Sequence, residues 1–459
     1  MGLSPSIYKD LEKILGKEYL TVKKEELLCY SYDATGQSYL PDAVIFPETE
    51  AQVADIFKLA SAKKFFVVPR GSGSGMTGGA IPVAGGVVLV TSRMNRIIEI
   101  DEENFIARVE PGVIVSEIHK AVEAKGLFYP PDPASSSVCT IGGNVGECAG
   151  GPRAVKYGVT RDYVLGLRAV IPSGQIIETG VATAKGVAGY DLTRLIVGSE
   201  GTLALVTQIT LKLLPKPAAV KTMAVFFDSM DKAAQTVSKV MKQATIPRCV
   251  EYLDEACINL VRKFLSFELP EGIRALLILE LDGTWDQVER EAEQIKKFCY
   301  GAGAQKVLVA EDEKAAQQLW EARRALSPVL YKIAPNKINE DIVVPISKIP
   351  RMVEITREIQ RTSGLTVVSF GHAGDGNIHC NIMYDKKDAA QTQKAEQAVD
   401  DLFAATLKLG GTITGEHGVG ITKSKYLPLE IGSTELEIMK GIKKVFDPDT
   451  ILNPGKIFL

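Results

Sequence analysis

A glycine-rich segment near the start of the chain, P-R-G-S-G-S-G-M-T-G-G at residues 69–79, constrains the fold more than any other feature. Gly73, Gly75 and Gly78 match G-x-G-x-x-G, the fingerprint of Rossmann domains that bind dinucleotides. That fold needs a helix directly after the glycines, whereas Ile81-Pro82 and the run V-V-L-V-T predict a turn and a strand. The sequence therefore predicts a glycine-rich loop between two strands and argues against a nicotinamide-binding domain.

Glycine-rich loops recur further along the same part of the chain. Pro111-Gly112 follows a predicted strand, and I-G-G-N-V-G-E-C-A-G-G-P-R occupies residues 141–153. The backbone N–H groups of such loops can surround a pyrophosphate, although a single loop of this kind is also a common plain turn. Several of them in one domain indicate a long, thin and highly polar ligand lying across it.

Two histidines in residues 370–384, F-G-H-A-G-D-G-N-I-H-C-N-I-M-Y, indicate a metal site. Apolar and polar residues alternate on both sides of Asp375-Gly376, the dipeptide preferred in two-residue hairpin turns. Such a turn makes His372 and His379 direct cross-strand neighbours, with Cβ atoms about 4.5 to 5.5 Å apart. The alternative is that both are ordinary strand residues. We expect Asn377 to lie on the same face.

The third ligand that we predict is a carboxylate. T-G-E-H-G-V-G supplies Glu416 beside His417 in a glycine-flanked turn. Two histidines and one glutamate leave coordination positions open, which is typical of a catalytic site. This ligand set accepts zinc, iron or manganese, so the sequence does not identify the metal.

Composition excludes several classes of function. The net charge of -3 argues against nucleic acid as a partner, and no apolar run is long enough to cross a membrane. The seven scattered cysteines contain no C-x-x-C, which fits a reducing compartment and provides no iron–sulfur cluster or structural zinc site. These features predict a cytoplasmic protein, or one associated with a membrane through a partner.

Segment patterns divide the chain into four parts. Residues 1–40 form a helical arm, and 41–216 form a first domain that ends at the stiff linker Leu214-Pro215-Lys216-Pro217. Strands and helices then alternate through a mixed α+β domain with an antiparallel sheet at 217–425. The C-terminal segment, 426–459, contains one amphipathic helix.

Six motifs in order make the chain similar to a known family. P-R-G-S-G-S-G-M-T-G-G, I-G-G-N-V-G, G-S-E-G-T-L, G-H-A-G-D-G-N-I-H, G-E-H-G-V-G and L-N-P-G-K-I together resemble the FAD-linked D-2-hydroxyacid dehydrogenases. This family has the vanillyl-alcohol oxidase type of fold and includes the glycolate oxidase large subunit, D-lactate dehydrogenase and D-2-hydroxyglutarate dehydrogenase. The resemblance covers residues from about 41 to 458. It implies an α+β protein in which 426–459 returns to an FAD-binding domain.

The resemblance implies noncovalent FAD. Relatives with covalent FAD carry a histidine in the glycine-rich loop, where this chain has Ser74. The residues that would hold the cofactor are Arg70, Gly71, Ser72, Gly73, Ser74, Gly75, Thr77, Gly78, Gly79, Pro111, Thr140, Gly142, Gly143, Asn144, Gly146, Gly150, Gly201, Ile209 and Asn453.

The resemblance also implies oxidation of a D-2-hydroxy acid, D-lactate or glycolate, to the 2-oxo acid. His417 is then the predicted general base, with a second-shell or core position as the alternative. Comparison with the family's W-x-x-R makes Arg323 the residue that binds the substrate carboxylate. Further substrate-binding candidates are Ser327, Lys337 and Asn377.

Alternatives remain at this stage. They are a D-2-hydroxyglutarate dehydrogenase, a flavin oxidase acting on an alcohol or sugar, and a noncatalytic flavin subunit of a glycolate oxidase-like complex. Because the sequence contains no cluster or haem motif, an external electron acceptor is expected: an electron-transfer flavoprotein, an iron–sulfur subunit or a quinone.

Overall fold

The computed structural model describes residues 3–183, 185–265 and 269–458. These residues form two compact units, neither of which is continuous in sequence. The first unit comprises Met1–Gly150, Val159–Lys216 and Glu416–Leu459. The second comprises Gly151–Gly158 and Pro217–Gly415.

The first unit begins with a four-stranded sheet whose central strands are parallel. The helix Glu50–Lys63 connects the strands Ala43–Ile45 and Val67–Arg70, and Thr49 and Gln52 cap its first turn reciprocally. The N-terminal helix Pro5–Leu15 places Ile7, Leu11 and Leu15 at a spacing of four residues in the same core. Residues 3–40, predicted as a helical arm, are therefore part of this unit.

Its other large sheet is five-stranded and antiparallel. The strand Leu205–Lys212 lies at the centre, and alternate residues from Leu205 to Leu211 are buried. The strands of the first unit are Leu20–Thr21, Ala43–Ile45, Val67–Arg70, Val87–Val90, Ile97–Asp101, Ile106–Val109, Leu127–Phe128, Val164–Val170, Ile176–Gly180, Leu205–Lys212 and Leu214–Pro215. Its α-helices are Pro5–Leu15, Lys24–Cys29, Glu50–Lys63, Val115–Glu123, Ile141–Glu147, Thr160–Tyr163, Leu192–Ile196, Leu427–Glu430 and Ser433–Phe446.

The C-terminal segment completes the first sheet. Leu452 forms a parallel bridge with Val67, and the Asn453 amide donates to the carbonyls of Gly79 and Glu200 at 3.0 and 2.8 Å. Its helix, Ser433–Phe446, has no fully buried residue and is anchored through its C-terminal turn.

The second unit contains a seven-stranded antiparallel sheet, which confirms the predicted α+β class. Its strands, in spatial order, are Lys306–Val309, Ala219–Phe227, Ala275–Gly283, Cys249–Asp254, Thr366–His372, Asn377–Tyr384 and Asn336–Val343. Its α-helices are Ala154–Tyr157, Met230–Val240, Glu255–Val261, Trp285–Gly301, Glu313–Leu330, Ile349–Ser363 and Ala389–Lys408.

The histidine hairpin differs from the predicted register by two residues. His372 pairs with Asn377, and His379 pairs with Phe370, across a loop of the four residues 373–376. Tertiary hydrogen bonds hold this longer loop, from Gly374 N–H to Val250 O and from Val344 N–H to Gly376 O. The two histidines remain on one face as diagonal neighbours, with ring centroids 5.1 Å apart.

The boundary predicted at residue 425 also differs. Residues 416–425 belong to the first unit because the buried Glu200 carboxylate accepts the N–H groups of Val419 and Gly420 at 2.7 and 2.6 Å.

Candidate functional site

The first unit contains a groove made of two adjoining cavities of about 100 and 220 Å³. Both cavities are lined by Gly71, Ala80, Gly143 and Glu147, so they form one continuous space. As predicted, a strand and not a helix follows Gly78. The glycine-rich loops in which the sequence predicts a dinucleotide therefore line this groove.

Glycines allow the walls of this groove to approach each other. The short helix Ile141–Glu147 begins at Thr140, whose side chain accepts the Gly143 N–H at 3.3 Å. A Cβ atom at Gly142 would lie 2.6 Å from the Pro111 Cβ, and one at Gly71 would overlap the Thr140 side chain. Side chains at these positions would push the loops apart and reshape the space between them.

Most of the residues predicted to hold FAD line the groove. They are Arg70, Gly71, Ser72, Gly73, Ser74, Gly75, Gly79, Pro111, Thr140, Gly142, Gly143, Asn144, Gly146, Gly150 and Gly201. Four others lie behind its wall. Thr77 is fully buried, Gly78 packs against Ile421, Ile209 is buried in the central strand, and Asn453 supports the carbonyls of Gly79 and Glu200.

Two residues that line the groove, Glu147 and Asn144, carry buried polar atoms without partners in the described part of the chain. Glu147 Oε2 and Asn144 Nδ2 are buried and have no hydrogen-bond partner among the described residues. A flavin carries both donors and acceptors that could satisfy such atoms. Together with the glycines that keep the groove open at Gly71 and Gly142, these residues suit FAD.

Glu147 is the residue of this groove that the sequence analysis missed. Burial, followed by the nearby carboxylates of Glu200 and Asp33, raises the pKa of Glu147 well above its usual range, although Lys456 opposes this. Burial lowers the pKa of Lys456 to about 8. The available signal was that Glu147 is the one acidic residue in the motif I-G-G-N-V-G-E-C-A-G-G.

In the second unit, His372 and His379 form a compact pair. Their Nε2 atoms are 3.4 Å apart, and both rings are more than nine-tenths buried. His372 Nδ1 is hydrogen-bonded to the Glu251 carboxylate. Since a carboxylate accepts the Nδ1 proton, the His372 Nε2 lone pair is directed towards His379.

This spacing fits a shared metal ion. Two imidazole nitrogens at 2.0–2.1 Å from one tetrahedral ion lie about 3.3 to 3.4 Å apart. The His372 Nε2 lone pair is stabilised at that distance either by a cation between the rings or by a proton on His379 Nε2. The donor set of the second unit therefore accommodates a divalent metal.

Asp341 is a further carboxylate beside this pair, and the sequence analysis did not select it. It lies opposite His379 in the strand register, with Oδ1 3.9 Å from His379 Nδ1. Asn377, predicted to bind substrate, instead donates to Asp341 Oδ1 at 2.5 Å and is itself buried. This contact was not predicted because Asp341 comes from a strand distant in sequence, and substrate binding by Asn377 stays a prediction.

Arg323 is held by Glu251. Its Nε donates to Glu251 Oε2 at 2.7 Å, and the guanidinium lies 4.5 Å above the Phe370 ring centroid. Although burial alone raises the pKa of Glu251, His372 and Arg323 more than offset this and hold it below the usual range. The guanidinium is thus fixed in a plane beside the histidine pair.

Ser327 and Lys337, two other predicted substrate-binding residues, contact each other. Lys337 Nζ donates to Ser327 Oγ at 2.8 Å, and burial lowers the pKa of Lys337. Ser327 lies one turn after Arg323 on the helix Glu313–Leu330. Within the described ranges, no carboxylate forms an ion pair with Lys337.

Glu416 and His417 belong to the first unit, where both line the larger cavity. Thr77 fixes this turn by donating its hydroxyl to the His417 carbonyl at 3.2 Å. Glu416 directly follows Gly415, the last residue of the second unit, and the Gly415 N–H donates to Asp341 at 2.9 Å.

Two family models match successive parts of the chain. Residues 41–180 match the FAD binding domain, and residues 216–457 match the C-terminal domain of FAD linked oxidases. The chain belongs to the FAD-linked oxidase family. It is an FAD-binding oxidoreductase with the vanillyl-alcohol oxidase type of fold.

Similar proteins cover nearly the whole of this FAD-linked oxidase. It is 44% identical to the glycolate oxidase subunit GlcD of Bacillus subtilis, over 99% of this chain and 97% of the relative. It is 36% identical to the D-lactate dehydrogenase of Anaerostipes hadrus, over 91% and 89% of the two chains. Among solved structures, p-cresol methylhydroxylase shares the fold at 18% identity, with a TM-score of 0.83 over 99% and 98% of the two chains.

No helix in the described part of the chain has both the length and the hydrophobicity needed to span a bilayer.

Proposed function

We propose that this protein oxidises a D-2-hydroxy acid, D-lactate or glycolate, to the corresponding 2-oxo acid with FAD and a divalent metal. The observation that carries the metal dependence is the facing Nε2 pair of His372 and His379, 3.4 Å apart. The similarity to glycolate oxidase subunits and to a D-lactate dehydrogenase supports this substrate class.

Three residues are proposed as metal ligands: His372, His379 and Glu416. The covalent chain supports Glu416 as the third ligand. Glu416 directly follows Gly415, whose N–H donates to Asp341, and consecutive Cα atoms lie about 3.8 Å apart. Asp341 is the alternative carboxylate ligand. Zinc, iron or manganese would supply Lewis-acid stabilisation of the substrate oxygens.

The chain's own groups account for substrate binding and proton removal. The Arg323 guanidinium binds the substrate carboxylate through its Nη groups, since its one hydrogen bond to the described residues is from Nε to Glu251. His417 takes the hydroxyl proton, and its position in the wall of the FAD groove supports this role. FAD, held by the residues that line the groove, would supply the acceptor for the hydride that leaves the α-carbon.

Lys337 favours a second candidate substrate, D-2-hydroxyglutarate. Its ammonium group is partly buried and, over the described residues, has no carboxylate partner. A buried cation of this kind can bind the second carboxylate of a longer hydroxy acid.

We also propose that the electrons pass to an external acceptor: an electron-transfer flavoprotein, an iron–sulfur subunit or a quinone. The word "subunit" in the names of the relatives supports a partner protein. A cytoplasmic enzyme, or one held at a membrane by that partner, fits this proposal.

The test is anaerobic reduction of the purified protein, followed through the flavin absorbance. D-lactate, L-lactate, glycolate and D-2-hydroxyglutarate are added separately, before and after treatment with a chelator. Rapid bleaching by a D-acid or glycolate, lost on chelation and restored by Zn²⁺ or Mn²⁺, is the expected result. If the flavin is present and none of these acids reduces it, the proposal is wrong and the protein is a noncatalytic flavin subunit.

A further inference from the structure

We propose that Glu251 is a positioning residue that holds the metal ligand His372 and the substrate-binding Arg323 in one rigid arrangement. The inference rests on the proposed function, because it assigns those roles to His372 and Arg323.

Glu251 is fully buried, and each carboxylate oxygen has its own partner. Oε1 is bonded to His372 Nδ1, and Oε2 accepts from Arg323 Nε at 2.7 Å. Glu251 and His372 are also direct partners in the register of neighbouring strands. The bridge therefore lies on a rigid sheet and does not depend on a loop.

This arrangement controls both partners through one side chain. By accepting the Nδ1 proton, Glu251 fixes the His372 tautomer that leaves Nε2 available to a metal. By accepting from Nε, it fixes the plane of the guanidinium and leaves the Nη groups to form a fork. A shift of the carboxylate would misplace the metal ligand and the carboxylate-binding group together.

A purely structural ion pair is the simpler explanation for a buried Glu–Arg contact. It predicts loss of stability when Glu251 is changed, without a specific effect on metal or substrate. The variants needed are therefore ones that preserve the fold. Glu251→Gln keeps the shape and one acceptor oxygen, whereas Glu251→Asp shortens the reach by about one carbon–carbon bond, so one partner is lost.

Glu280 provides a matched control. It lies on the neighbouring strand Ala275–Gly283, is buried, and accepts hydrogen bonds from Trp320 Nε1 at 2.6 Å and Thr222 Oγ1 at 2.9 Å. Glu280→Gln thus changes a buried carboxylate in the same sheet that bonds neither His372 nor Arg323.

The first measurement is the Zn²⁺ affinity of the flavin-loaded full-length protein, determined by competition with a chromogenic chelator. Glu251→Gln should weaken Zn²⁺ binding about 10- to 100-fold, the usual loss when a partner behind a metal ligand is changed. Glu280→Gln should bind Zn²⁺ within about twofold of the wild type. Flavin content and circular dichroism identify any variant that has not folded.

The second measurement is steady-state kinetics at saturating Zn²⁺, which removes the effect of weaker metal binding. A bridge to Arg323 predicts that Glu251→Gln still raises KM for the acid about tenfold or more, with a smaller change in kcat. Glu251→Asp should retain either the wild-type Zn²⁺ affinity or the wild-type KM for the acid, and not both.

The outcomes separate this inference from the proposed function. If the wild type binds Zn²⁺ tightly and Glu251→Gln binds it equally well with an unchanged KM, the positioning role is overturned and the metal site stands. If the wild type itself binds no Zn²⁺ or Mn²⁺, the metal proposal fails and the role of Glu251 fails with it. If Glu251→Gln and the control Glu280→Gln weaken Zn²⁺ binding to the same extent, the effect is general and the positioning role is rejected.

Discussion

Gly150→Ala tests the assignment of Glu416 without changing any ligand. A Cβ atom at position 150 would lie 2.7 Å from Glu416 Oε2 and 3.4 Å from Glu416 Cβ. Since ordinary contacts begin near 3.4 Å, the carboxylate oxygen must move by about 0.7 Å. The flexible end of the side chain absorbs that shift, so we expect the free energy of unfolding to change by less than about 1 kcal/mol.

The effect on the site should be much larger. A misplacement near 1 Å in a catalytic group costs about 100-fold in rate, so we expect kcat and Zn²⁺ affinity to fall about 10- to 100-fold. The assay combines anaerobic flavin reduction with chelator competition. Gly441→Ala is the control, because no atom lies within 4 Å of its added Cβ in the exposed helix Ser433–Phe446.

That control should be stabilised by up to about 1 kcal/mol, with unchanged kinetics. Wild-type Zn²⁺ affinity and kcat in Gly150→Ala would refute the proposal that Glu416 binds the metal. A large loss of stability would instead show that the wall of the groove, and not the side chain, takes up the added atom.

Three other substitutions probe separate regions. Arg323→Lys should raise KM for the acid about 10- to 100-fold with a smaller change in kcat, because an ammonium cannot form the bidentate fork; an unchanged KM would contradict the assignment. Glu147→Gln tests how the raised pKa of Glu147 affects stability at different pH values. The folded protein retains a proton on Glu147 that the unfolded chain releases above about pH 4.5. Wild-type stability therefore declines as the pH rises above about 4.5. In urea unfolding of the flavin-loaded protein, the variant should therefore gain stability over the wild type at pH 8 and not at pH 4, and parallel profiles would contradict this. Lys443→Met should lower the free energy of unfolding by about 3 kcal/mol, because the buried Asp447 carboxylate, 1% exposed, loses the ammonium group that lies 2.5 Å away. As the control, Lys444→Met at the exposed neighbouring position should change the free energy of unfolding by less than about 0.5 kcal/mol. Equal effects of the two substitutions would be inconsistent with this explanation.

Local patterns in the sequence predicted the parts of the fold that depend on local chemistry. The strand after Gly78 was predictable because Ile81-Pro82 and the β-branched residues behind it are incompatible with an immediate helix. The antiparallel sheet of the second unit followed from alternating strand and helix patterns. Both expectations depend on neighbours in sequence.

Features set by residues distant in sequence were not predictable in the same way. The Asp375-Gly376 dipeptide favours a two-residue turn, but hydrogen bonds to the Val250 carbonyl and from the Val344 N–H fix a four-residue loop and move the register. Asp341 reaches His379 only because the sheet order places its strand beside the hairpin. No sequence spacing marks such a neighbour.

Glu251 illustrates the same limit. It lies 121 residues before His372 and 72 before Arg323, in a strand that reads as an ordinary buried strand. Glu147, by contrast, lies inside a motif that the sequence analysis quoted. Its position among glycines was the missed signal, because a carboxylate in a glycine-rich cofactor loop is unusual in composition.

The bridge between Val67 and Leu452 has a consequence for how the protein is made. All four strands of the first sheet are translated by residue 90, but the bridge from Leu452 to the edge strand Val67–Arg70 forms only after residues around 452 have left the ribosome. At about 5 to 20 residues per second, roughly 10 to 50 s separate the synthesis of residue 216 from that of residue 452. During this interval the groove lacks Asn453, which supports the carbonyls of Gly79 and Glu200. Cofactor loading is thus expected to follow translation, and the nascent chain must keep an unfinished sheet edge from aggregating while the second unit is still being synthesised.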